Sequence, residues 1–170
     1  MSWSVLLLAA VTLQRLGELW LARRNTRRLL ARGAVEVSPG HYPLIVALHA
    51  VWLVGLWVLA WNRPVQPGWL AVFLALQAAR VWVLASLGER WTTRIIVLPG
   101  APLVRRGPYR FLDHPNYAVV AGEILALPMT FGLLAYGLAF SLLNAAVLAV
   151  RIRAEGRALN EALPSAPSVN

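Results

Sequence analysis

The chain has 170 residues, 59% of them hydrophobic and 14% charged, with a mean hydropathy of +0.61. A soluble domain of this size cannot hide that much apolar surface, so composition puts the chain in the membrane class. The absence of cysteine excludes disulfides, a thiol nucleophile and a cysteine-held metal, and the net charge of +9 rests on 16 arginines with no lysine.

The first apolar run, residues 3–22, is interrupted only by Gln14, Arg15 and Glu18. It does not read as a cleavable signal peptide, because its charges follow the apolar stretch and Arg15 breaks it. Residues 42–61 carry no formal charge, and residues 67–88 are apolar except for Gln77 and Arg80. Residues 117–150 form a long run whose only charge is Glu123. One crossing takes roughly 20 residues, so this run is too long for one helix and slightly short for two. With Pro128, Gly132 and Gly137 near its middle, it reads as a tight helical hairpin, with one long kinked helix as the alternative. The expectation is an all-α integral membrane protein with about five transmembrane helices, helices 4 and 5 forming the hairpin. Residues 1–163 make a single membrane-embedded domain and 164–170 a flexible tail.

The arginines give an orientation. Arg23, Arg24, Arg27, Arg28 and Arg32 follow helix 1; Arg90, Arg94, Arg105, Arg106 and Arg110 lie between helices 3 and 4; Arg151, Arg153 and Arg157 follow helix 5. With the N-terminus outside, all of these fall on the cytoplasmic side, as the positive-inside rule requires. Three dispersed basic segments that a topology explains do not indicate nucleic acid, and none is expected as a partner.

Ionisable residues within spans are costly and face a partner or a wet cavity. Gln14, Arg15 and Glu18 share about one turn, Gln77 and Arg80 share a face, and Glu123 lies about two turns into helix 4. Interhelical salt bridges are one reading; a polar pocket including Gln77, Arg80 and Glu123 is the other.

The connection at 89–116 is far longer than the roughly 2–8 residues that usually join helices. The β-branched Thr92–Leu98 stretch reads as extended, Pro-Gly at 99–100 and Gly-Pro at 107–108 as turns, and His114-Pro115 as the start of helix 4. This chemistry argues for a binding loop. The segment "RIRAEGRALNEAL" continues helix 5, with Arg151 and Glu155 four residues apart on one face.

Together, "GPYRFLDHPNY", Glu123, the closing hairpin and "RIRAEGRAL" resemble the isoprenylcysteine carboxyl methyltransferase family, over about residues 12–160. "QRLGELWLARRNTRRLLARGAVE" and "LGERWTTRIIVLPGAPLVRRGPYRF" look like a bacterial branch associated with type III polyketide synthases. The resemblance implies S-adenosylmethionine as methyl donor and S-adenosylhomocysteine as product. It implies a cofactor pocket open to the cytosol, a lipophilic acceptor entering sideways from the bilayer among the membrane lipids, and location in a bacterial cytoplasmic membrane. Carried over, Leu103, Val104, Gly107 and Tyr109 line the cofactor. His114, Pro115 and Tyr117 shape the loop-to-helix corner, and Glu155 holds the ribose hydroxyls. Arg151 sits near the transferred methyl or the acceptor oxygen. Gln77 is placed with the cofactor residues, and Arg80, Trp91, Glu123 and Arg151 with the acceptor.

Two departures stand out. Asp113 replaces the arginine common before His-Pro, so Arg110 or Arg106 must take the cofactor carboxylate if that arginine held it. Glu155 is followed by Gly156 rather than by a second acid. A carboxylate or acidic hydroxypyrone acceptor needs no strong base; a phenol needs one, for which His114 is the loop's only histidine. His41 and His49 read as boundary and packing residues, and three separated histidines make no metal site. The expected function is O-methylation of an alkylpyrone or phenolic lipid. Carboxyl methylation of an isoprenylcysteine-type substrate is one alternative, and a non-catalytic membrane scaffold or carrier the other.

Overall fold

A computed structural model describes residues 2–37, 40 and 42–162, without the side chains of 155 and 157–162. His41, Leu163 and the tail 164–170 lie outside the described residues. Helix α1 spans Trp3–Ala31, α2 Tyr42–Ala60, α3 Pro67–Leu87, α4 Pro115–Thr130 and α5 Leu134–Ala162. Two short strands, β1 (Val35–Glu36) and β2 (Ile96–Val97), pair antiparallel. Of the Thr92–Leu98 stretch expected to be extended, Ile96 and Val97 form a strand, and its partner is the α1–α2 connection.

Among the described residues, four helices, α1, α2, α3 and α5, are long and apolar enough to cross a membrane. The protein is all-α and integral to a membrane. Its exposed apolar side chains agree: Leu13, Val51, Val58, Val81 and Leu142 face outward, where lipid rather than water is the favourable neighbour. The fifth expected span, α4, has 16 residues, so it is about 24 Å long and shorter than the hydrocarbon core. It packs against α3 and α5, and Glu123, Ile124, Leu127 and Pro128 are buried. Protein, not lipid, surrounds much of it.

The 117–150 run is a hairpin, not one kinked helix. Pro128 ends the usable ladder of α4, and its carbonyl accepts from Phe131 N and Leu133 N. The turn is three residues, 131–133, and Gly137 lies within α5. The apolar core gathers at this end of the bundle, around Leu8, Trp52, Leu56, Phe73, Leu127 and Phe131. Ser2 and Ser4 both donate to Trp61 O at 3.0 Å, tying α1 to α2. Tyr136 donates to Trp52 O at 2.8 Å, and only a glycine at 55 leaves room for its hydroxyl.

Midway along the bundle, charges join three helices. Arg80 on α3 takes both oxygens of Glu18 on α1, at 2.5 and 2.6 Å, and Glu123 Oε2 on α4 at 2.9 Å. Arg15 bonds Glu18 at 3.0 Å and Glu123 at 2.9 Å. Gln14 donates to Glu18 and accepts from Gln77. Two cations meet two anions, so the cluster is neutral and each charged group has an opposite charge beside it, while Arg15 Nε and Glu123 Oε1 make no bond among the described residues.

Candidate active site

The opposite end of the bundle is built by the long connection. Asn25 Nδ2 donates to Gly88 O at 3.2 Å and Trp91 O at 2.9 Å, clasping the connection to α1. The β1–β2 pair and the Arg94–Glu36 ion pair, 2.8 Å, hold it over the α1–α2 connection. Gly107 adopts φ +57°, and a Cβ there would overlap Ser86 Oγ, so glycine lets the turn at Gly107–Arg110 lie against α3. Arg106 Nε donates to Ser86 O at 2.7 Å at the end of α3.

Between this connection and the helix ends lies a cavity of about 460 Å³. Its walls are residues 94–98 and 101–105, with Tyr109, Asp113, His114 and Arg151. A second cavity of about 300 Å³ runs into the bundle between α1, α2, α4 and α5. Its walls are largely apolar, including Leu16, Leu19, Ile45, Val46, Leu53, Val120, Val147 and Leu148. Trp91, Thr92, Asn116, Tyr117 and Arg151 line both cavities.

The shared wall is rigidly made. Pro115 opens α4, which puts Asn116 and Tyr117 in its first turn. Arg151 Nε donates to the Tyr117 hydroxyl at 2.8 Å and Nη1 to Thr93 O at 2.8 Å. The guanidinium carbon lies 5.5 Å from the Tyr117 ring centroid, and the His114 ring stacks on Tyr117 at 5.1 Å. Arg151 is 8% exposed and its Nη2 has no partner among the described residues. Trp91 Nε1 and Asn116 Oδ1 are buried and have no partner among the described residues. Such atoms cost about 1–3 kcal/mol each unless water or a ligand bonds them, so this pair gives the shared wall one donor and one acceptor to offer a polar guest.

The isoprenylcysteine carboxyl methyltransferase (ICMT) family model matches residues 69–161, more than half of the chain. The chain belongs to the isoprenylcysteine carboxyl methyltransferase family. This is a family of membrane methyltransferases whose members use S-adenosylmethionine. The chain is 43% identical to the uncharacterized protein YpbQ of Bacillus subtilis over 161 residues, 92% of this chain and 96% of that one. It is 28% identical to an uncharacterized protein of Haemophilus influenzae over 167 residues, 92% and 94% of the two chains. No solved structure matches it. The methyltransferase-family match takes in the loop, α3, α4 and α5, and leaves α1 and α2, two walls of the membrane cavity, outside.

The cavity at the loop fits the family's cofactor. At about 460 Å³ it falls within the roughly 300–1,000 Å³ of small-molecule sites. It offers aromatic and aliphatic surface at Tyr109, Leu103, Val104 and Leu98, and guanidinium groups at its rim. The orphaned Trp91 donor and Asn116 acceptor suit the polar atoms of a nucleoside-bearing ligand.

The residues expected from sequence fall into three sets. Leu103, Val104, Tyr109, His114 and Tyr117 line the loop cavity, and Trp91 and Arg151 the shared wall. Arg80 lines the membrane cavity, with its guanidinium committed to Glu18 and Glu123. The others stand off. Gln77 faces Gln14 in the charged layer, and Glu123 is held by Arg15 and Arg80 behind the cavity wall. Gly107 serves loop packing, Pro115 is buried as the first residue of α4, and Arg110 is exposed and away from the cavity. Glu155 lies on α5, with its side chain outside the described residues. Sequence reasoning missed Asn116, Thr92 and Arg105. Asn116 sits inside the "HPNY" motif, and its place in the first turn after Pro115 was the available signal.

Proposed function

We propose that the protein transfers a methyl group from S-adenosylmethionine to an oxygen of a lipophilic acceptor, with an alkylpyrone or phenolic lipid as the favoured class. The observation that carries this reading is the wall common to a mixed polar and apolar cavity at the loop and a largely apolar cavity within the bundle. A water-soluble donor in the first and a greasy acceptor in the second meet only at Trp91, Thr92, Asn116, Tyr117 and Arg151.

In this reading, Leu103, Val104 and Tyr109 cover the apolar part of the cofactor, and Glu155 keeps the ribose role that the family resemblance implies. Arg105 takes the cofactor carboxylate, since Arg106 is occupied at Ser86 O and Arg110 does not line the cavity. The bound cofactor supplies a methyl group already activated by its sulfonium. Arg151 offers Nη2 to the acceptor's oxygen anion, while Tyr117 and Thr93 fix its other nitrogens. Trp91, 3% exposed, and the loop exclude water from the meeting point. Alignment is the main task, so a rigid wall is the useful device. His114 acts first by stacking on Tyr117. The loop end faces the cytoplasm, following the arginines.

The deciding experiment is calorimetric binding of S-adenosylhomocysteine to detergent-purified protein, followed by labelled-methyl transfer to hydroxypyrones, phenolic lipids and isoprenylcysteine analogues. Saturable binding weakened by Tyr109→Ala, with transfer to pyrones or phenols, is expected. Well-folded protein that binds no S-adenosylhomocysteine would favour the scaffold alternative, and transfer only to isoprenylcysteine analogues would replace the acceptor.

A further inference from the structure

Each helix carries at least one polar residue about two turns inside the bundle, measured from a residue toward the loop end. On α5, Asn144 is seven residues from Arg151; on α2, His49 is seven from Tyr42, whose hydroxyl bonds Thr93 Oγ1 at 3.1 Å. On α1, Glu18 is seven from Asn25; on α3, Arg80 is seven from Leu87; on α4, Glu123 is eight from Pro115. Seven residues of helix rise about 10.5 Å, so Asn144 lies about that far along α5 from Arg151 of the shared wall, and it lines the membrane cavity with Glu18, His49 and Arg80 as one polar layer.

Within that layer the charged groups pair with one another, while Asn144 and His49 keep bonding capacity toward the cavity. Asn144 is 2% exposed, lines the membrane cavity and makes no hydrogen bond among the described residues. His49 lines the same cavity, and its Nδ1 donates to Ile45 O at 2.9 Å, which leaves Nε2 as an acceptor in the neutral ring. A purely hydrocarbon tail lying past both would leave a donor and acceptors buried without partners.

We propose that this layer reads a second polar group on the acceptor. That group is a hydroxyl or carbonyl about 10 Å along the tail from the methylated oxygen, bonded by Asn144 with help from His49. It is uncharged, because the two arginines and two glutamates beside it already balance. The proposal rests on the acceptor reading given above and sharpens it from a lipid in general to an oxygenated one.

The test uses two 4-hydroxy-2-pyrones with straight alkyl tails of equal length, one bearing a hydroxyl roughly 10 Å from the ring. Both are titrated into detergent-purified protein with S-adenosylhomocysteine present. The hydroxylated compound is expected to bind wild type about tenfold more tightly, with the ratio falling within about threefold in Asn144→Leu. Equal or tighter binding of the plain compound by wild type overturns the inference alone, whether or not the variant folds. Binding of S-adenosylhomocysteine with neither pyrone bound overturns the acceptor reading, and the inference with it.

Discussion

Arg151 donates from Nε to the Tyr117 hydroxyl at 2.8 Å, and this bond joins α5 to α4 in the wall that the two cavities share. The residues are 34 apart in sequence, and neither could hold the other's geometry alone. Thr93 O takes Nη1 from the loop side, so three segments fix one guanidinium. Its preorganisation is what the proposed transfer relies on.

Arg151→Met should therefore cut kcat/KM for methyl transfer by roughly 100-fold or more while the Kd of S-adenosylhomocysteine moves much less. Transfer assays beside calorimetry separate the two. An equal loss in both would shift Arg151 from the acceptor to the donor side.

Arg105 is the cavity arginine with no bond among the described residues, and Arg110 is off the cavity. Arg105→Ala should weaken S-adenosylhomocysteine binding by about tenfold, the scale of a lost charge-assisted bond. Arg110→Ala should change it by less than about twofold. The opposite ranking would restore Arg110 as the carboxylate partner.

Glu123 is 1% exposed and receives both Arg15 and Arg80. Glu123→Leu strands one positive charge in the layer, so unfolding in detergent should lose about 3–5 kcal/mol. Adding Arg80→Met leaves Arg15 with Glu18 as a balanced pair, and much of that loss should return. A thermal double-mutant cycle measures the coupling; additive losses would contradict the network.

Gly107→Ala places a Cβ against Ser86 Oγ at φ +57°. The backbone alone costs about 1–2 kcal/mol, and the overlap pushes the loop off α3. Faster amide exchange over residues 100–113 and weaker S-adenosylhomocysteine binding are expected, with partial recovery when Ser86→Gly is added. Unchanged exchange would mean that the turn does not depend on this approach.

Much of the architecture is legible along the chain because lipid imposes a simple rule. Apolar runs of sufficient length become helices, and Pro128 with Gly132 divides the last run into two. The loop's importance is legible too, since a connector of such length and chemistry has no packing reason to exist. Which polar residues face a ligand is not. Gln77, Arg80 and Glu123 look alike to a reader of spans, yet only Arg80 reaches a cavity.

Composition, hydropathy and motif order by themselves determined a helical membrane protein of this methyltransferase family, because each depends on local chemistry against a fixed solvent. Tertiary structure alone decided that Arg151, Tyr117 and Trp91 stand between two cavities and that Glu123 spends its charge on Arg15 and Arg80. It also paired Val35 with Val97 to hold the loop in place. Those contacts join residues from 34 to 108 positions apart, and only the packing of five helices brings them within reach.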